Sequence, residues 1–526
     1  CLSGAVVNPR AFRELFPELK DEDFPFRGPV TGERVYVLTE GGSMRIPTPP
    51  TMRNHGNYIA SISEIVRWLG EKAEELGVNI FTGFPAASLL VEGDQVVGVR
   101  TTPTGLNREG EPGSGYMPPT DVVARVVALS EGTRGTLSQA YLQWQNVAHE
   151  NPQIYALGVK EIWETKKPLD AIIHTMGWPL PNDTFGGSFM YPLSPNQVAI
   201  GLVAGMDYGN LNLDVHELLQ RMKLHPLFRQ YLEGGEMVEW GAKTIPEGGY
   251  YSLPQRRSGD GIVILGDAAG FVEVASLKGI HYAMQSGIYA ARAIFEALKS
   301  GDTSHRKLSA YDRMVNESYI VADLHERRNM RLAFKDGFFL GGAKAGLMSL
   351  TKGRFPGGKI AVTGDNHVPR TAKPMHPRRQ ADVREGGRRL QVGEQDPGRH
   401  PVAPDRRGGR AARGRRAVRE DVPGGRLRAG RRPARGQRPQ LHRLQGDGHS
   451  RSPLDAPRGR ERAAVPVDVG CGFPDREHVE TPRRGVSTCF PPGQWPSCAP
   501  SPLALVAAAS SDPWDALTWA PCPPSP

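Results

Sequence analysis

The run Gly266-Asp267-Ala268-Ala269-Gly270 is where this chain most plainly offers chemistry. It follows a short continuous apolar run at 261–265, which suits a strand buried on both faces, and precedes a long helical stretch at 280–298. Asp267 then stands at the strand's C-terminal end, where a carboxylate accepts hydrogen bonds from a sugar-like hydroxyl chain. Small residues at Ala268, Ala269 and Gly270 let a ligand approach, and open amides near a helix N-terminus can face a pyrophosphate or a ring carbonyl. An ordinary strand-to-helix turn also needs glycines, so this run alone does not decide for function. A second strand-turn-helix unit, VVALSEGTRGTL at 126–137, supplies Glu131, Gly132 and Gly135.

The elements that must position these turns are legible as periodicities. Residues 61–77 place Ile62, Ile65, Leu69, Ala73 and Leu76 on one face, opening at Ser61 and stopping at Gly77, as an amphipathic helix does. A strand is expected at 78–82, a hairpin at 91–101 turning on Gly93-Asp94, another strand at 121–129, and an antiparallel meander at 171–206.

The formal charge of +9 over 526 residues suggests a polyanion partner until it is divided by position. Residues 1–370 hold 37 Lys and Arg against 40 Asp and Glu, 371–470 hold 25 against 11, and 471–526 hold 3 against 5. The basic character therefore belongs to one Arg-, Gly-, Pro- and Ala-rich stretch, which cannot bury enough apolar surface to offset chain entropy and should be disordered. Cys1 stands alone, and Cys471, Cys489, Cys498 and Cys522 have no cluster spacing, so no disulfide framework is expected and no metal ligands are assigned in the written frame. No run of 18 apolar residues exists, so no membrane-spanning helix is expected, and no secretory signal is visible.

Several blocks are more specific than a fold. The GDAAG and SEGTRG units, in this order, resemble the later two signatures of the glutathione-reductase-type FAD-binding fold. LSGAVVNPRAFRELFP (2–17), NHGNYI (54–59), HTMGWPL (174–180), GGSFMY (186–191), GLVAGMDYGNL (201–211), HPLFRQYLEGG (225–235), PEGGYYSLP (246–254) and LKGIHYAMQSG (277–287) stand in the order seen in electron transfer flavoprotein-ubiquinone oxidoreductases. The resemblance covers nearly all of 1–370. It implies an enzyme that takes electrons from reduced electron transfer flavoprotein and passes them through FAD, and in the family a 4Fe-4S cluster, to ubiquinone or menaquinone. A flavin joins one-electron carriers to a two-electron quinone, so no protein acid, base or nucleophile is obligatory and no catalytic residue is assigned.

Carried over by position, Gly266, Asp267, Ala268 and Gly270 would hold FAD, with Glu131 and Gly132 approaching it. Gly248 and Gly249 match the pair at which the family binds the quinone headgroup; the plain reading of Pro-Glu-Gly-Gly is a turn. Residues 337–358 match the family's membrane-associated region, and Phe338, Phe339, Leu340, Leu347, Met348 and Leu350 with Lys344, Lys352 and Arg354 suit a surface helix on anionic lipid. The resemblance implies a peripheral position on the cytoplasmic face of a bacterial inner membrane, or on the mitochondrial inner membrane in eukaryotic relatives, and no nucleic-acid partner. The chain departs from the family at Glu273 and Ala275, where an Asn and a Pro are common, and at Ile280, where a hydroxyl residue is usual.

The implied architecture is α/β overall, an FAD-binding fold with an inserted, mainly antiparallel sheet. It divides into a partial FAD-binding domain at 1–139, a sheet-rich quinone-side domain at 140–255, a second FAD-binding part at 256–300, a helical membrane-associated region at 301–376 and a disordered tail at 377–526. The first Gly-x-Gly-x-x-Gly unit is expected before Cys1. Read from each codon's second base, 377–383, 392–401, 421–428 and 440–445 can encode the family's ferredoxin-domain motifs in order, and 469–470 a stop. The tail is therefore expected to be an out-of-frame replacement of the 4Fe-4S domain, whose ligands the written chain lacks. Two other readings compete. A related FAD-dependent reductase or monooxygenase, such as a geranylgeranyl reductase type, would lack the HTMGWPL and PEGGYYSLP blocks. A polyanion-binding protein acting through the Arg-rich stretch would need aromatic interleaving and a folded basic module.

Overall fold

The computed structural model describes residues 5–355 and 357–372, together with the backbone of 463–465 and 520–521. The wholly apolar Ile262–Ile264 forms a strand whose three residues are fully buried, as its lack of alternation predicts. It runs parallel to Val127–Leu129, with Leu129 opposite Ile264, and antiparallel to Ser258–Gly259. The helices Thr136–Trp144, Ile280–Ser300 and His305–Asn316 close over this small sheet, burying Leu137, Tyr141, Tyr282, Ala293 and Tyr311 with the strands. Each buried aliphatic side chain there contributes about 1.5–3 kcal/mol.

The second large element is a seven-stranded sheet in the order Glu236–Pro246, Tyr155–Glu164, Gln197–Gly205, Gly186–Ser194, Ile172–Gly177, Glu33–Leu38, Ser43–Ile46. All neighbours are antiparallel except Ile172–Gly177 with Glu33–Leu38, which is parallel. The expected meander supplies its three central strands; Tyr155–Glu164 and Glu236–Pro246 extend it on one side and two strands from before residue 50 on the other. The α/β class with a mainly antiparallel sheet is thus present as read from the sequence.

The helix expected at 61–77 runs over Ile62–Glu75, with the Ser61 hydroxyl accepting from the Glu64 amide. Leu76, placed on its buried face by periodicity, is 84% exposed, because it is already the C-cap. The strand expected at 78–82 does not form. Gly77 turns left-handed at φ +84°, and the Gly77 and Val78 amides bond back to the Glu74 and Ala73 carbonyls. This Schellman closure turns the chain aside and uses the amide that a strand would have offered first. The strand expected at 121–129 is two. Thr120–Val123 pairs antiparallel with Gln95–Thr101, whereas Val127–Leu129 pairs with Ile262–Ile264, and 124–126 carry the chain from one sheet to the other. The hairpin turning on Gly93-Asp94 is present, with its first strand starting earlier, at Ala86–Glu92.

The tail expected at 377–526, its four cysteines and the proposed frame change lie outside the described residues. The exceptions are Ala463–Val465 and Ala520–Pro521, which pair antiparallel with Ala86–Glu92 and Thr120–Val123.

Candidate functional site

Because Val127–Leu129 and Ile262–Ile264 run parallel and in register, the turns that follow them leave the sheet at the same edge. Glu131 and Gly266 each stand two residues beyond a paired position, Leu129 and Ile264. Ligands in parallel sheets gather at this C-terminal edge. Gly266–Ala269 is a single 3-10 turn closed by Gly270 at φ +83°. Gly266 itself has φ +57°, and a Cβ on it would stand 3.2 Å from that of Ala283, so only glycine lets the turn sit against the Ile280–Ser300 helix. The Ser286 hydroxyl accepts from the Gly266 amide at 3.0 Å and fixes this contact.

The long helix starts at Ile280, as the sequence suggested, with Gly279 as N-cap and no side-chain cap. The chain folds back so that Asp267 Oδ1 lies 3.6 Å from where a Cβ would stand on Gly279. Burial pushes the Asp267 carboxyl up to about 6, while Lys243 favours its ionised form. Asp267, Ala268, Ala269 and Gly270 line a cavity of about 300 Å³ with Arg134, Gln153, Tyr155 and Asp365. Asp365 is also raised to about 6 by burial; its Oδ2 accepts from the Tyr155 amide at 2.7 Å, and its Oδ1 has no hydrogen-bond partner among the described residues.

Glu131 is placed at the same edge with its carboxylate engaged. Its oxygens accept from the Leu137 amide at 3.1 Å, the Ser138 amide at 2.7 Å and the Ser138 hydroxyl at 2.7 Å, capping the Thr136–Trp144 helix. Gly132, at φ +75°, has nothing within 4 Å of a Cβ position and is open to close approach. Arg134, two residues on, reaches the cavity.

The expected quinone pair divides into two roles. A Cβ on Gly248 would overlap the Ser252 hydroxyl and the Gln153 side-chain carbonyl, so Gly248 is a packing requirement. Gly249, at φ +62°, has open space where a Cβ would stand, and a flat ring can approach its backbone there. Gln153 joins the two turns: its Oε1 accepts from the Gly248 amide at 2.6 Å, and its Nε2 lies 3.2 Å from a Cβ position on Gly270. Nothing local in the sequence marks Gln153, Arg134 or Asp365, whose relevance arises only when distant segments meet.

Below the Gly248 turn lies a buried ionic network. Arg331 Nε donates to Glu247 Oε2 at 2.7 Å and Nη2 to Asp207 Oδ1 at 2.8 Å, and the guanidinium lies 4.1 Å over the Phe185 ring. Burial raises the Glu247 carboxyl, against the pull of Arg331.

In the region expected at the membrane, Phe338–Leu350 is a helix with Phe339, Leu340, Leu347 and Leu350 exposed. Two expected contributions differ: Met348 is buried against Met330 and Ala333, and Lys344 is ion-paired with Asp336. No helix among the described residues is long and apolar enough to cross a membrane. None of the five cysteines lies among the described residues, which hold no group of three His, Cys, Asp or Glu suited to a metal. The described part of the chain therefore does not fit an iron-sulfur cluster.

Comparison with known proteins places the sequence in a family. Residues 155–245, the greater part of the seven-stranded sheet, match the model of the ubiquinone-binding region of ETF-QO. The electron transfer flavoprotein-ubiquinone oxidoreductase of Pseudomonas aeruginosa is 40% identical over 372 residues, covering 69% of this chain and 67% of the relative. The chain belongs to the electron transfer flavoprotein-ubiquinone oxidoreductase family. The mitochondrial protein of that name from Oryza sativa subsp. japonica is 39% identical over 364 residues, and the chain spans 62% of its length. The human one is 39% identical over 344 residues, and the chain spans 55% of it. A geranylgeranyl bacteriochlorophyll reductase-like protein from Thermoplasma acidophilum aligns at a TM-score of 0.48 and 16% identity over 68% of this chain and 86% of its own, too distant a likeness to say anything of function.

Proposed function

We propose that this chain is the flavin- and quinone-binding part of an oxidoreductase that passes electrons from reduced electron transfer flavoprotein, through FAD, to a membrane quinone of the ubiquinone or menaquinone class. The observation that carries this reading is Gln153, whose side chain hydrogen-bonds the Gly248 turn and lines one cavity with the Gly270 turn. A cofactor cradle and a ring-accessible turn are thereby held as neighbours, which electron transfer between their ligands requires.

FAD, when bound, would supply the ability to hold one or two electrons. The fit of the residues to it rests on the glycine cradle, the half-buried Asp267 and the unpartnered Asp365 Oδ1. Asp267 would accept hydrogen bonds from the ribityl or ribose hydroxyls, and Gly266, Ala268 and Gly270 would let the backbone come close. Arg134 would face an anionic group of the cofactor, and Gly132 would give clearance on the neighbouring turn. Gly249 would receive the quinone ring against its backbone. The apolar Phe339, Leu340, Leu347 and Leu350, with Lys352 and Arg354, support a peripheral seat on an anionic bilayer surface from which an isoprenoid quinone can reach the turn. The 4Fe-4S cluster has no place in this account of the described residues.

The test is reduction of a short-chain ubiquinone by reduced electron transfer flavoprotein in the presence of the chain and FAD. Gly249→Val should abolish quinone reduction while leaving FAD binding in place, whereas Asp267→Ala should weaken FAD binding itself. Quinone reduction that survives Gly249→Val at the wild-type rate would overturn the quinone assignment.

A further inference from the structure

Glu273 lies three residues after Gly270, and its carboxylate is almost wholly buried, at 1% exposure. Neither of its oxygens has a hydrogen-bond partner among the described residues, and neither does Arg327 Nε. The Arg327 guanidinium is 3.3 Å away through Nη1, and Ser276 and the Ala275 amide lie near enough to favour ionisation without good hydrogen-bond geometry. Buried carboxylates are almost always hydrogen-bonded, so two orphaned oxygens ask for an explanation. Glu273 lines a second cavity, of about 20 Å³, together with Gly248, Gly249, Glu247, Arg327 and Arg331. That volume suits a single water and is far too small for a quinone ring.

We propose that Glu273 is the proton donor for the quinone bound at Gly249, delivering its proton through this water-sized cavity. The proposal rests on the quinone reading of the Gly248-Gly249 turn. Reduction of a quinone to a quinol adds two electrons and two protons. The electrons come from reduced electron transfer flavoprotein, which is oxidised. One carboxyl O–H bond at Glu273 breaks and one O–H bond forms on the quinone oxygen nearer the cavity. The other quinone oxygen takes its proton from solvent, and Glu273 is reloaded from solvent between turnovers.

The surroundings fit a group that must hold a proton and then survive its loss. Burial raises the Glu273 carboxyl, so that the neutral acid is favoured relative to an exposed glutamate. Arg327 then stands ready to stabilise the carboxylate left after transfer. The charged groups facing it are Arg327 and, from its own loop, Lys278, itself lowered to about 8 by burial. Arg328, Arg331 and Glu247 line the same cavity, and Arg331 is committed to Glu247 and Asp207. Tyr282 is held protonated by burial and by Asp323.

The experiment has a readout independent of turnover. Infrared difference spectra of the full chain, with FAD and with and without a short-chain ubiquinone, should show a protonated carboxylic C=O band that shifts on quinone binding and is missing in Glu273→Gln. The same variant should bind FAD and quinone as wild type does, form quinol about 100-fold more slowly at neutral pH, and lose the pH inflection of the rate. Should Glu273→Gln fold poorly, Arg327→Gln serves instead: with its counter-charge gone, the band and the inflection should move to higher pH. A quinone that binds without disturbing the band, or a Glu273→Gln rate with wild-type magnitude and pH profile, would overturn the proton role and leave the quinone site standing. Failure of the quinone to bind the wild-type chain would overturn both.

Discussion

Asp267 and Glu273 are six residues apart on one loop, both raised by burial, and their surroundings prepare them for different work. Asp267 faces a cavity of about 300 Å³, with Lys243 as its charge influence, beside an uncapped helix start. Glu273 faces a cavity of about 20 Å³, next to Arg327. The first can meet a large polar ligand directly; the second can exchange only something the size of a water or a proton. Two like groups are thus given separate roles by space and neighbouring charge.

The largest effect is expected at the Gly248 turn, which rests on buried charge. Arg331→Ala strands Glu247 and Asp207 without their partner and should cost about 3–5 kcal/mol in denaturant unfolding. Because the Glu247 carboxyl is raised in the folded state, protonation relieves that burial, so the deficit should shrink as pH falls and grow as it rises. A deficit independent of pH would mean that Glu247 is not the stranded group.

A smaller effect separates the two glycines. Gly248→Ala drives a methyl into Ser252 and Gln153 and should destabilise by about 1–3 kcal/mol. Gly249→Ala has room, and only its positive φ opposes it, for about 1 kcal/mol. Equal losses in melting temperature would contradict the division between a packing glycine and an approachable one.

On the cofactor side the effect should be on pH dependence. A carboxyl raised to about 6 in the fold contributes stability that is present below its unfolded value near 3.8 and is lost as pH rises through 6. Asp267→Asn should therefore flatten the stability profile between those limits, as urea unfolding at a series of pH values would report. The smallest effect should be Leu350→Asp, on an 82% exposed position: fold and FAD affinity unchanged, with weaker flotation with anionic vesicles.

How far these differences could be read in the sequence follows from where each constraint acts. The Gly266–Gly270 turn was legible because left-handed backbone and close helix approach are demands on the residues themselves. The buried strand before it and the meander were legible for the same reason. The strand expected at 78–82 was not, because a Schellman closure competes for its first amide, and 121–129 was misread as one strand because two sheets share its apolar pattern. Arg134, Gln153 and Asp365 carry no local signal; they matter because residues more than 100 positions apart line one cavity. Glu273 stood out in the sequence as a departure, but its isolation from hydrogen bonds belongs to the packing alone.

The central claim is that the Asp267 turn holds FAD, and an equilibrium titration of the chain with FAD, followed by flavin fluorescence, tests it most directly. The account predicts saturable binding that Asp267→Ala weakens by about 10–100-fold, the loss of roughly 1.5–3 kcal/mol of hydrogen bonding to a charged group, while Glu273→Gln leaves it unchanged. Equal affinity in wild type and Asp267→Ala, or no saturable binding, would contradict it.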